Sequence, residues 1–391
     1  MLSVRQSFLS LTLMRVIQGF SAAPLETLIS ATVSELFFVH EKGKMLSIWN
    51  LFVMGGVKLG CVDADRFPLF IVLTKGSQLI ASFIIQNLSF KFTFGIYALI
   101  YAGIIPLIYY FVPETVYFAP AAKTEVIFDK SSLRVYEIIL PEPKKTRSER
   151  RKVFQGRVSH AGFWRTAFKP LPLITFPAVI YAAFTYSFYA AGLTLIALLQ
   201  DAIFSAPPYN LTSSQIGLTN LPLFGVDLCG TLISGYCADF VVQFMTKHNN
   251  GVYKPEFRLV LMLVAASLSS VAYVGFGFSV SAGASIYVAI GFLGVQTFAV
   301  PFATSAMFTY VMDCHSIHAA QAFVTMNFVK AVLSLVMSNF VNGWFEESGA
   351  KSVFLTVAIA NLGVSAFSLP MYIFGKRLRS KIARSSFHMK F

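Results

Sequence analysis

Leu11-Thr12-Leu13-Met14-Arg15-Val16-Ile17-Gln18-Gly19 sets a guanidinium inside an apolar stretch that runs from about residue 8 to residue 33. Arginine stays charged at any ordinary pH. Left in hydrocarbon it costs at least ~3 kcal/mol on insertion scales. It must therefore either turn inward, toward a partner or a wet pathway, or snorkel to the headgroups. Gln18 and Gly19 lie on adjoining faces of the same helix and favour the inward reading. The stretch then belongs to a working part of a membrane machine rather than to an anchor.

The rest of the chain agrees with that reading. Of 391 residues, 56% are hydrophobic and only 13% are charged, about half the charged share of a soluble domain. Spans of the required length are expected at roughly 8–33, 45–60, 94–112, 172–199, 216–237, 259–279, 284–311, 318–343 and 352–374. The expected fold class is all-α, a polytopic helical membrane protein. Residues 61–77 do not fit, because Asp63, Asp65, Arg66 and Pro68 interrupt what would otherwise be one helix joining Gly60 to Gln78. An insertion there is the expectation. The rival reading, a further span at 67–86, has Lys75-Gly76-Ser77-Gln78 at its centre.

The net charge of +13 does not point to nucleic acid, because the positive residues are confined to particular loops. Residues 113–169 hold twelve Lys/Arg against six Asp/Glu, and 376–391 hold six Lys/Arg and no acid. Residues 201–215 and 279–285 hold no Lys or Arg. By the positive-inside rule the first two segments face the cytoplasm and 201–215 faces outside. Asn210-Leu211-Thr212 is a glycosylation sequon in that outside loop. The expected organisation is a partial transmembrane bundle at 1–112, a basic flexible linker at 113–170, a six-helix bundle at 171–375 and a basic tail at 376–391. The four cysteines show no paired spacing. His315 and His318 beside Asp313 and Cys314 read as a chance cluster, so no metal and no cofactor is expected. No His-Glu-x-x-His, Walker-type or Gly-x-Ser-x-Gly string occurs. Any pumping would therefore draw on an ion gradient, and an enzyme is not expected.

Several polar residues fall within the spans. Glu26 lies in the same stretch as Arg15, and a carboxyl sheltered there would suit a proton carrier or be held by a neighbouring helix. Asp227 lies mid-span, flanked by Gly225 and Gly230, with a structural role or a substrate or proton role open to it. Lys330 follows Asn327 by one turn and is a candidate for the translocation path. Tyr181, Tyr186 and Tyr189 belong to an aromatic set covering several faces of one helix, and one or two of them could line a substrate cavity.

These features resemble the major facilitator superfamily, and within it the drug:H⁺ antiporter-type transporters. Arg15-Val16-Ile17-Gln18-Gly19 is similar to the family's Arg-x-x-Gln-Gly motif, and Gly43-Lys44 to the start of the following helix. Gly55-Gly56 and Gly60 resemble its glycine-rich motif, and Val112-Pro113-Glu114-Thr115 its Pro-Glu-Thr helix end. Gly235-Tyr236-Cys237-Ala238-Asp239 is similar to a Gly-x-x-x-Asp loop motif, and Pro255-Glu256-Phe257-Arg258-Leu259 to a helix start. The resemblance implies the major facilitator fold with about nine of its helices, three from the first bundle and six from the second. It also implies proton coupling at Arg15 and a cytoplasmic gating role for Gly235, Asp239 and Arg258. The expected function is secondary active transport of small organic molecules with H⁺, by a monomer in the lipid bilayer of the plasma membrane. A transport-inactive form lacking the first three helices is the alternative.

Overall fold

The computed structural model describes residues 12–21, 23, 27, 32–33, 43–46, 48, 99, 102–106, 124–129, 134–139, 170–315 and 319–383. The chain divides into two compact units, one made of Met1–Gly95 with Phe163–Phe391, the other of Ile96–Gly162.

The larger unit is helical. A short 3-10 turn, Leu171–Thr175, leads into α1 (Pro177–Ser205), which opens with proline at its first position and ends at Ala206 in extended backbone. Both choices are local: proline at the first helical position loses no hydrogen bond, and the residue before Pro207 avoids the helical region. α2 (Ser213–His248) starts from a capping box, with the Thr212 N–H donating to Gln215 Oε1 at 3.0 Å. It ends at Asn250 and Gly251, which carry φ of 54° and 77°, with Lys247 and His248 in the last turn where cations meet the negative end of the helix dipole. The 3-10 turn Pro255–Leu259 feeds α3 (Val260–Ser281), and α4 (Ile286–Cys314) continues through Pro301.

α5 spans Ala319–Ala366, and α6 spans Ser368–Ala383. Uninterrupted, α5 would be about 70 Å long, more than twice the hydrocarbon thickness. It is not uninterrupted, because Gly349 has φ 71° and ψ 166°. Before Gly349 the helix runs parallel to α1: Thr325 Oγ1 donates to the Pro170 carbonyl at 2.8 Å, and Lys330 lies over Tyr186. After Gly349 it runs antiparallel to α3, with Phe354 edge-on to Phe276 and Asn361 Nδ2 donating to Ser270 Oγ at 3.5 Å. The chain reverses at this glycine, so α5 supplies two passes.

Five helices are long and apolar enough to cross a membrane among the described residues, the last, Ala319–Ser380, containing the reversal. The all-α fold class and multi-pass insertion follow. The expected span at 216–237 proves to be the middle of a longer helix. α6 runs on to Ala383, so the expected tail begins as helix. The expected insertion at 61–77 lies outside the described residues, as do most residues of the three expected N-terminal spans.

Two apolar clusters hold this unit. One gathers Val179, Ala182, Met262, Ala303, Tyr310 and Phe323. The other gathers Leu195, Phe204, Phe276, Leu293, Val341 and Phe354 toward the other end of the helices. Small residues bring the backbones close, as expected for membrane helices. A Cβ on Gly230 would sit 3.1 Å from the backbone of Phe298, fixing the approach of α2 to α4.

The smaller unit contains an antiparallel hairpin of β1 (Thr124–Asp129) and β2 (Arg134–Ile139). Its register pairs Thr124 with Ile139, Val126 with Glu137 and Asp129 with Arg134. The linker reading predicted no regular structure here. The β-branched and aromatic runs Val126-Ile127-Phe128 and Val135-Tyr136, set either side of Ser131-Ser132, account for the difference.

Candidate functional site

Charged side chains converge at the end of the helices where α2 finishes and α3 starts. Asp239, 2% exposed, accepts the backbone N–H of Lys44 at 3.2 Å. Residues 43–46 are helical, so the carboxylate sits against the backbone of a second helical stretch. The fit requires glycine: a Cβ on Gly43 would lie 2.6 Å from Asp239 Oδ1.

Arg258, on the 3-10 turn, joins this carboxylate to a second one. Its Nη1 is 3.6 Å from Asp239 Oδ1 and its Nε donates to Asp313 Oδ2 at 2.7 Å. The Tyr253 hydroxyl donates to the same oxygen of Asp313. Burial, followed by the opposed effects of Arg258 and Asp313, pushes the Tyr253 phenol well above its ordinary value, so it remains a neutral donor. One residue pair further on, Arg379 Nη2 donates to Glu256 Oε1 at 2.5 Å, with Glu256 3% exposed. Gly375 lets α6 approach, since a Cβ there would meet Glu256 Oε1 at 2.9 Å.

Burying so many charges yields little net stability, because desolvation offsets most of the attraction. What the arrangement does provide is position. It ties α2, the start of α3, the end of α4, the end of α6 and the helical residues at 43–44 together at one end. Breaking such a knot would leave several buried charges without their partners at once.

The sequence-derived residues fall in different places. Asp239 and Arg258 lie together, and Gly235 is buried one turn before Asp239. Asp313 was set aside with the His315 cluster but is the centre of the network. Among the described residues no three metal-ligating groups converge. Tyr253, Glu256 and Arg379 were not singled out. Only Glu256, within the quoted Pro255–Leu259 string, carried a signal.

Arg15, Gln18 and Gly19 are exposed, and Arg15 Nη1 donates to Gln18 Oε1 at 3.2 Å within the helix. The contacts with the bundle come later in the chain, at Val33, Gly43 and Leu46. Glu26 lies outside the described residues. Asp227 is buried on α2 at 2% exposure.

Of the three tyrosines, Tyr186 faces Lys330, whose Nζ is 5.7 Å from the ring centre, and packs on Phe308 at 4.8 Å. Asn327 and Lys330 are half-buried. All three tyrosines are buried in the same apolar cluster. Tyr181 sits edge-on to Tyr310, and the Tyr189 hydroxyl shares a 3.2 Å hydrogen bond with Ser365 Oγ. Asn210 is exposed with φ 49° in the turn before α2.

No family model matches the chain. It is 27% identical over 212 residues to protein HOL1 of Saccharomyces cerevisiae, a match covering 54% of this chain and 36% of that protein. It is 23% identical over 415 residues to an uncharacterised MFS-type transporter of Schizosaccharomyces pombe, covering 94% of this chain and 68% of the relative. It is 21% identical over 406 residues to the multidrug transporter DTR1 of Candida glabrata, covering 98% and 70%. The chain thus spans about a third of the first relative's length and about two thirds of the other two. It is similar to fungal MFS-type membrane transporters, which are not enzymes.

Proposed function

We propose that this chain works as a secondary active transporter that moves small organic molecules across a membrane by alternating access, coupled to protons. The observation that carries the reading is the buried knot of Asp239, Arg258 and Asp313 against the helical residues Gly43 and Lys44. It is built from charges that contribute little to stability and so suits a two-state gate. With the knot closed, a solute site between helices is shielded from that end. With it open, the site is exposed there.

A proton shifts the balance only if it binds one state more tightly than the other. Glu26 and Asp227 are the candidate carriers, with Arg15, Gln18 and Gly19 shaping the local field. Lys330, Asn327 and Tyr186 are candidates for the path wall. Lys330 beside the Tyr186 ring combines a cation and an aromatic face, which would hold a solute of mixed polarity. The plasma membrane and a monomeric working form are part of the same proposal.

The test is solute accumulation in vesicles containing the purified chain, with and without an imposed pH gradient. Accumulation that follows the gradient supports the proposal. Equal accumulation in both conditions removes proton coupling, and accumulation no greater than in protein-free vesicles removes transport.

A further inference from the structure

The acids at the end of the larger unit that holds the gate are hidden among the described residues. Asp239 and Glu256 are 2% and 3% exposed, and the Asp313 side chain is 2% exposed. Among the described residues the charge left at the surface of that end is basic. On α6, Lys376 and Arg377 are exposed. They directly follow Tyr372, Ile373 and Phe374, which are 39%, 65% and 48% exposed. An apolar and aromatic girdle giving way within one turn to exposed cations marks the level of the lipid headgroups. The turn is also held in place, because Arg379, on the next turn, is anchored to Glu256 at 2.5 Å and Gly375 lies flush against the same carboxylate. Cations presented on a pinned helix lose less freedom on binding than cations on a loose tail.

We propose that Lys376 and Arg377 form a docking surface for glycerophospholipids with anionic headgroups in the adjoining leaflet. The apolar side chains just before them meet the acyl region, and the two cations meet the phosphate and carboxylate of the headgroup. Arg379 is a positioning residue that keeps the turn at the headgroup level through Glu256. The partner is a lipid rather than free phosphate because the exposed girdle and the cations are continuous on one helix. The proposal rests on the chain spanning a membrane.

The test reconstitutes the full chain in bilayers of phosphatidylcholine mixed with phosphatidylserine, extracts it gently, and counts retained lipids by native mass spectrometry. The unmodified protein is expected to retain phosphatidylserine in preference to phosphatidylcholine. Each cation removed should lower that preference roughly fivefold. K376Q/R377Q should therefore lose most of it, whereas K351Q, at the opposite end, should keep it. The variant sites are exposed, and a melting curve for each confirms folding. Equal retention of the two lipids by the unmodified protein would overturn the proposal. So would an unchanged preference in K376Q/R377Q, a loss as large in K351Q, or displacement of the lipid by inorganic phosphate. Release of the chain from membranes by alkaline carbonate would instead overturn the membrane reading itself.

Discussion

Asp239 on α2 accepts the backbone N–H of Lys44 at 3.2 Å, although the two are 195 positions apart in the chain. A side chain of α2 thus accepts a backbone hydrogen bond from a helical stretch far earlier in the chain. Asp239→Asn keeps the size but removes the charge that Arg258 favours. It is expected to lower transport at least about tenfold, the equivalent of one lost charge-assisted bond. A vesicle flux assay on protein of matched abundance checks this.

Arg258 is 1% exposed and bridges two carboxylates. Arg258→Ala leaves both without their cation in a buried place, and removing one partner of a buried pair costs about 3–5 kcal/mol. The expected result is a clear drop in thermal midpoint in detergent. Arg258→Lys should recover part of the midpoint but not the fork that reaches Asp239 and Asp313 together. Transport by the lysine variant is expected to remain low.

Two glycines separate close approach from spare room. Gly43→Ala would place a methyl 2.6 Å from Asp239 Oδ1, whereas a methyl on Gly19 meets nothing within 4 Å. Gly43→Ala should therefore impair transport while Gly19→Ala leaves folding unchanged, as judged by melting and flux measured side by side.

The helical course of residues 171–375 could be read from hydrophobic spacing, because spans are bounded by turn residues such as Pro207, Asn250-Gly251 and Gly283. The partners of the gate could not all be read. Asp239 and Arg258 stood out because they recur in a recognisable local string. Asp313 and Arg379 come from separate helices and Tyr253 from the loop after α2, and nothing local in the sequence brings these segments together. The inward reading of Arg15 rested on the cost of a charge in hydrocarbon. That cost says the charge must find company, and its neighbour Gln18 supplies some of it. The hairpin in the linker was overlooked because the surrounding charge and proline dominated the composition.

Gly349 has φ 71° where α5 reverses. A side chain in that conformation costs about 1–3 kcal/mol, so Gly349→Ala should lower the thermal midpoint. Gly363→Ala lies in regular helix with open space around it and should hold or raise the midpoint. If Gly349→Ala melts no lower than Gly363→Ala, the chain does not depend on the reversal as described.

The gate itself is tested most directly by the distance between spin labels placed at Ile48 and Phe244, exposed positions on the two sides of the Lys44–Asp239 contact. The account predicts two distances in the unmodified background, a short one for the closed end and a longer one whose share changes with an imposed pH gradient. It further predicts that Asp239→Asn moves the population to the longer distance. A single short distance, unmoved by the gradient and by Asp239→Asn, would contradict it.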